Sequence, residues 1–336
     1  MEIRKIQVTG GSTHVVSLPK KWVDRNHLRR SDTVAIHEEP DGSLLLVPHH
    51  AARVKVRSIS LQLPEFPRPE DIVRRIVGAY LAGADEMVVK SHGNMAQEVR
   101  AVVREISHDL VGVEILEESP NSMTLQDLVG VSEMDLRKTL TRMHRIARLM
   151  FDDALRALEG RDPRLAGDVA DRDDEVDRLL WMVSKQMHAL LEQPRLAARL
   201  DVAPAGALNY YLVARTIERM ADHATKISKN VRDFDAEVPA DLVADLVRHA
   251  ELVKQVWDDA FQALKIADFD KASQTSDVAR AAINWRPQFA HRLHEQVPDV
   301  VGLMTIIADS VERVRSYSID IAETAMNHTF LAKREP

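Results

Sequence analysis

Cysteine is absent from all 336 residues, which removes disulfides, thiolate metal sites and cysteine nucleophiles and is neutral about compartment. Aromatic residues are scarce at 4%. Leu, Val, Ala and Met are plentiful instead, as helix-rich chains tend to be. No apolar run approaches the roughly 20 residues needed to span a bilayer, and no signal-peptide core opens the chain. The expectation is a soluble, cytoplasmic protein. Also missing are a Ser-His-Asp grouping, a glycine-rich phosphate loop and an acid pair in a recognisable cleft, so nothing points to turnover and no enzyme is expected. What remains is 45% hydrophobic and 29% charged, enough for two or three domains with proper cores.

The net charge of −7 is unevenly spread. Residues 1–57 hold ten Lys and Arg against six Asp and Glu, a local +4 that leaves −11 for the remainder. A small basic head on an acidic body suggests that the head meets a polyanion and the body does not. Within the head, Ile6-Gln7-Val8 and His14 to Leu18 read as short strands about Gly10-Gly11-Ser12, and Pro19 opens a short helix over Lys20 to Asn26. Thr33 to His37 and Leu44 to Val47 form a hairpin across Asp41-Gly42. Four strands in fewer than fifty residues bury too little surface to stand alone, so a second copy is expected to complete the fold.

The run Val16-Ser17-Leu18-Pro19-Lys20-Lys21-Trp22, then His27-Leu28, Ser31-Asp32 and the closing hairpin, resembles the AbrB/SpoVT swapped-hairpin DNA-binding domains over about residues 3–48. That resemblance implies an intertwined dimer that meets DNA through basic side chains. Carried onto this chain, the candidate phosphate contacts are Arg4, Lys5, Lys20, Lys21 and Arg25. Such contacts give affinity and salt dependence without reading sequence. The alternative is an ordinary solvated basic face on a head that only dimerises. Gly10-Gly11-Ser12-Thr13 departs from the charged turn that many members place there.

Residues 53–130 alternate β and α. A strand is expected over Val54 to Leu63 and a helix over Asp71 to Ala82, with Ile72, Ile76, Ala79 and Tyr80 on one side. A strand at Glu86 to Val89, a helix from Asn94 to Ser107, and strands at Gly112 to Leu116 and Ser122 to Leu125 come next, making a compact α/β connecting unit. Glu105 and His108 have the E-x-x-H form of carboxylate-bridged metal bundles, but the pair stands alone on a short helix and reads as chance.

From residue 132 onward the periodicity is helical. Ser132 with Asp135 reads as a capping-box start. Helices are expected to Gly160, from Pro163 to about Leu191, and from Pro204 to Phe234, then from Pro239 to Ile266, Asp270 to Val297 (kinked at Pro287) and Pro298 to Phe330. The six are two copies of three. Phe151-Asp152-Asp153-Ala154-Leu155 recurs as Trp257-Asp258-Asp259-Ala260-Phe261, Trp181 as Trp285, and Ile217-Glu218-Arg219 as Val311-Glu312-Arg313. The apolar seam Val213, Ile217, Met220, Ala224, Ile227, Val231 carries over to Ile307, Val311, Val314, Ser318, Ile321, Ala325. The expected architecture is therefore mainly α. A duplicated pair of three-helix bundles (132–235 and 238–330) comes after a β-rich head (1–50) and an α/β unit (53–130).

Beside that seam, Glu218 and Asp222 leave one side of a helix a turn apart, close enough for one cation to bridge. Two three-helix repeats with Glu218-Arg219-Met220-Ala221-Asp222-His223 on the third helix resemble the PhoU family of phosphate-uptake regulators, and with the head the whole resembles archaeal-type PhoU proteins with a DNA-binding extension. The resemblance implies a non-catalytic regulator acting with a phosphate transporter and a sensor kinase, and metal clusters on E/D-x-x-x-D pairs. In the first repeat those pairs are Asp173 with Asp177 and Glu218 with Asp222, with iron or zinc following the family and magnesium suiting the oxygen donors. The alternative is a merely acidic surface. In the second repeat Asp177 and Asp222 correspond to Ala281 and Ser316, and His223 to Tyr317, so a metal there is not expected although Asp277 and Glu312 persist. Three readings are open: a DNA-binding regulator of phosphate uptake; a pure adaptor whose head only dimerises; and a ferritin-type metalloenzyme, which lacks the paired E-x-x-H helices it needs.

Overall fold

A computed structural model describes residues 2–38, 42–48, 56–193, 196–235 and 237–332. It divides after Val56 into two compact units. In the head, β1 (Gln7–Thr9) and β2 (Thr13–Val15) pair antiparallel about Gly10 and Gly11, both at positive φ. Helix α1 (Lys20–Arg25) starts after Pro19, where the missing amide proton costs no hydrogen bond. Strands β3 (Val34–Glu38) and β4 (Leu44–Pro48) form a second antiparallel ribbon. Gly42 of the expected hairpin turn has a φ of 79°; Asp41 lies outside the described residues. Nothing in β1, β2 or α1 is buried, and Ile3, Ile6, Val8, Ile36 and Leu44 are each at least 60% exposed. Two-stranded ribbons with bare apolar faces are marginal in water.

The second unit begins with a four-stranded sheet. Its strands are β5 (Ser58–Gln62), β6 (Glu86–Lys90), β7 (Val113–Glu118) and β8 (Ser122–Asp127), in the order β5-β6-β8-β7. β5 and β6 are parallel, joined by α2 (Pro69–Leu81), and β8 runs antiparallel to both β6 and β7. Among the described residues the first strand starts at Ser58; Val54 and Lys55, where it is expected to begin, lie outside them. Ile72, Ile76, Ala79 and Tyr80 are the buried residues of α2, as their spacing predicts, and they pack with Val103 and Ile106 of α3 (Gln97–Asp109) and with Met87, Val89, Met123 and Leu125 of the sheet. Gly112 turns α3 into β7 at a φ of 80°, and a Cβ there would stand 2.6 Å from the Val129 side chain, so only glycine fits. Glu105 and His108 are exposed on α3.

The helical body continues as α4 (Leu136–Gly160), α5 (Pro163–Ala170), α6 (Asp173–Glu192), α7 (Leu196–Leu200), α8 (Pro204–Arg232), α9 (Ala240–Ile266), α10 (Phe269–Ala281), α11 (Trp285–Leu293) and α12 (Pro298–Ala332). Three expectations need correction. Asp135 itself caps α4, accepting from the Arg137 and Lys138 amides at 2.8 and 3.2 Å, so the helix starts later than a cap at Ser132 would set it. The single helix expected over 163–191 is α5 and α6, broken at Asp171–Arg172. The fifth helix breaks at Ala282–Asn284, a short 3₁₀ turn, and resumes as α11. Pro287 then sits in the first turn of α11, where it breaks no bond that the upstream turn has not already surrendered.

Duplication is written into the corners as well as the helices. α4 ends on Arg161 at φ 50° and Asp162 caps α5; 106 residues later α9 ends on Ala267 at φ 50° and Asp268 caps α10. α4 packs on α5, α6 and α8 as α9 packs on α10, α11 and α12, while α8 against α12 and α4 against α9 join the copies. The predicted seam is the core: Val213, Ile217, Met220, Ala224 and Ile227, with Ile307, Val311, Val314, Ile321 and Ala325, are wholly buried. Ser318, also buried, satisfies its hydroxyl by donating to the Val314 carbonyl one turn back at 2.9 Å.

Candidate functional site

Helix α6 carries Asp173 and Asp177 on one side of its first two turns, and the middle of α8 carries Glu218 and Asp222 in the same spacing. The two helices pack together, and the four predicted carboxylates become electrostatic neighbours. Burial and the nearby Asp173, Glu218 and Asp222 push the Asp177 carboxyl up to about 7. Asp173 is raised by burial and by Asp222, and Glu218 by burial and Asp222 again, with Arg219 and Arg215 only partly offsetting it. Asp222 is the most exposed of the four; burial raises it against the pull of Lys229 and Arg219. None of the four makes an ion pair among the described residues. The site is a stretch of negative charge with no ion-paired side chain among the described residues, at the N-terminal end of α6 whose dipole favours anions.

Its chemistry suits a cation. The donors are carboxylate oxygens alone, which fit a hard or borderline metal ion, and a bound cation would offset much of the mutual repulsion. Among the described residues, however, no three His, Asp or Glu side chains are drawn together closely enough to hold one ion. His223, next to Asp222 in the sequence, faces a different neighbour. Its ring lies 5.9 Å from that of Tyr317 on α12, and its pKa is lowered by burial and then by Lys226 and Arg313. In the second repeat Asp277 is exposed and Glu312 is turned inward.

The five basic candidates of the head, Arg4, Lys5, Lys20, Lys21 and Arg25, are all exposed. Arg4 pairs with Glu2 at 2.6 Å; the other four have no ion pair among the described residues. They present cationic charge to solvent from the strand entry and from α1.

Several structural charges escaped the sequence reading. Lys185 of α6 is buried against Asp127 at the end of β8, with its ammonium 4.4 Å from the centre of the Tyr80 ring. Tyr80 in turn donates to the Val111 carbonyl at 3.1 Å. Arg178 donates to the His108 and Asp109 carbonyls at 2.6 and 2.9 Å. These bonds fix the α/β unit onto the helix that carries Asp173 and Asp177. Asp127 and Lys185 are 58 residues apart with no shared motif, so no sequence signal joined them.

Residues 140–231 match the PhoU domain, and residues 7–53 match the antidote–toxin recognition domain of the bacterial antitoxin MazE. A curated relative, the "Phosphate-specific transport system accessory protein PhoU homolog" of Clostridium acetobutylicum, is 26% identical over 140 residues, which is 41% of this chain and 62% of the relative's length. Among solved structures, PhoU from Pseudomonas aeruginosa is similar at a TM-score of 0.51 and 18% identity, covering 57% of this chain and 94% of that one. The phosphate transport system regulatory protein PhoU from Streptococcus pneumoniae is similar at 0.50 and 17%, covering 57% and 92%. These two likenesses establish the helical fold. Among the described residues no helix is long and apolar enough to cross a membrane.

Proposed function

We propose that this chain, which carries a PhoU domain behind a MazE/AbrB-like head, is a non-catalytic cytoplasmic regulator of phosphate uptake whose head binds DNA. Its helical repeats answer to a phosphate transporter component or a sensor kinase. The family assignment of the two parts supports the regulator. The single observation that carries DNA binding is the set of cations Lys5, Lys20, Lys21 and Arg25, exposed and without an ion pair among the described residues, in a stretch (residues 1–57) of net charge +4 within an acidic protein. The bare apolar side chains Ile3, Ile6, Val8, Ile36 and Leu44 support a homodimer completed through the head, since burying each would contribute about 1.5–3 kcal/mol. In the first repeat, Asp173, Asp177, Glu218 and Asp222, which are not drawn together closely enough in this structure to hold one ion, would gather around a divalent cation, iron, zinc or magnesium, which offsets part of their charge and ties α6 to α8.

A second reading is an adaptor whose head only dimerises; the same exposed apolar faces serve it equally. A gel shift with the DNA upstream of phosphate-uptake genes separates the two. The DNA-binding reading expects a complex at low salt whose log affinity falls linearly with log salt. Replacing Lys20 and Lys21 by alanine removes four contacts from the homodimer and should flatten that slope by about 3.6, near 0.9 for each phosphate no longer neutralised. No complex at low salt would leave the adaptor.

A further inference from the structure

The second repeat meets the same electrostatic problem with its own side chains, a contrast that rests on reading the first-repeat acids as a cation site. Glu312 on α12 corresponds to Glu218 on α8. Three residues further on, α8 has Ala221, whereas α12 has Arg315, which is only 6% exposed. Arg315 donates from Nε to Glu312 Oε2 at 2.9 Å and from Nη1 to the Ala279 carbonyl of α10 at 2.8 Å. The other Glu312 oxygen lies 2.6 Å from Nε2 of His249 on α9, and the His249 ring stacks on Trp285 of α11 with centroids 4.1 Å apart. One carboxylate thus gathers α9, α10 and α12, and through the ring stack α11.

The place matches. The capping residues Asp162 and Asp268 are 106 residues apart, a register that sets Ala279 opposite Asp173. The Trp181–Trp285 register of 104 sets Asp277 there instead. By either, the Arg315 guanidinium rests on the segment of α10 that corresponds to the acid-bearing start of α6. Burial would raise Glu312, but His249 and Arg315 outweigh it and hold the carboxyl below its ordinary range.

We propose that Arg315 is a built-in cation standing where the first repeat leaves its carboxylates for a metal ion, so that the chain has one metal site and not two. A planar guanidinium serves this position well: it is always charged, and its fork bonds a carboxylate and a backbone carbonyl at once. The two copies have thereby divided roles. The first offsets its acids only when a cation is supplied, and the second does so with its own side chain whatever the metal supply.

The test starts from a chain carrying Asp177→Asn and Glu218→Gln, which removes the first site. In that background Arg315→Asp replaces the internal cation by a third potential ligand beside Glu312 and His249. The proposal expects this variant to melt lower than its Arg315 parent without metal, to bind one equivalent of zinc in equilibrium dialysis, and to regain melting temperature on binding it. The parent should bind none and show no shift. Should the variant fail to fold, the unsubstituted chain decides alone, by binding a single equivalent that Asp177→Asn with Glu218→Gln abolishes. A second equivalent that survives those changes and disappears with Glu312→Gln would overturn the proposal. A first-repeat reading that fails shows itself separately, as an unsubstituted chain whose zinc content Asp177→Asn with Glu218→Gln does not lower.

Discussion

Lys254 on α9 donates to Asp152 on α4 at 2.5 Å, and the same contact with its members exchanged joins Arg148 on α4 to Asp258 on α9 at 3.3 Å. Arg148 and Lys254 occupy one position of the repeat, 106 residues apart, and Asp152 and Asp258 occupy another. The pairs are reciprocal across the junction between copies, as side chains are across a two-fold interface. The second aspartate of each Asp-Asp motif works inside its own copy: Asp153 accepts from Arg172 at 2.8 Å and Asp259 from Lys271 at 2.5 Å. Each motif therefore has one acid for its own repeat and one for the other.

Replacing Lys254 by alanine should destabilise the junction. Its side chain is 7% exposed, and removal leaves Asp152 with only the 3.9 Å approach of Arg148. The expected loss is about 2–3 kcal/mol, that of a charge-assisted hydrogen bond. Arg148→Ala, at a more open pair, should cost less. Urea unfolding of both variants checks the order.

The first-repeat acids predict a pH dependence of opposite sign to that of ordinary paired carboxylates. Their folded pKa values are raised, Asp177 to about 7, so the folded state holds more protons than the unfolded one between the unfolded carboxylate pKa and 7. Without metal, stability should fall as pH rises from about 4 to 7 and stay low above, by about 2 kcal/mol after allowance for solvent screening. Asp177→Asn should flatten that decline and melt higher than the unsubstituted chain at pH 8, as followed by thermal unfolding across pH.

The lock between the α/β unit and α6 makes a third prediction. Lys185 and Asp127 are 1% and 7% exposed in their side chains. Burial raises the Asp127 carboxyl although Lys185 opposes it. Lys185→Ala strands a buried carboxylate and should cost about 3–5 kcal/mol, whereas Lys185→Met with Asp127→Leu should recover most of that loss. Chemical denaturation of the single and double variants decides it.

How much of this was legible in the sequence depends on distance along the chain. The core stripe of α8 and its copy on α12 are local 3.6-residue patterns, and the structure buries both. The duplication was visible because Asp152-Asp153 and Asp258-Asp259 repeat with their apolar neighbours. Asp173, Asp177, Glu218 and Asp222 could be brought together on paper because helix spacing and helix order suffice for that. Helix ends were less legible: the breaks at Asp171–Arg172 and Ala282–Asn284 lack a glycine or proline at the break itself, since Pro287 lies downstream. Lys185 and His249 were missed because each finds its partner on another helix or on the sheet; Arg315 pairs with Glu312 on its own helix, but its burial and its bond to the Ala279 carbonyl of α10 come only with the fold, and a single buried charge has no periodicity to announce it.

The central claim is that the first repeat keeps an acid cradle for a cation. Elemental analysis of the purified chain beside an Asp177→Asn, Asp222→Ala variant tests it most directly, with circular dichroism to show that both are folded. The account predicts bound metal in the unsubstituted chain and a clear loss in the variant. Equal metal content in the two would contradict it.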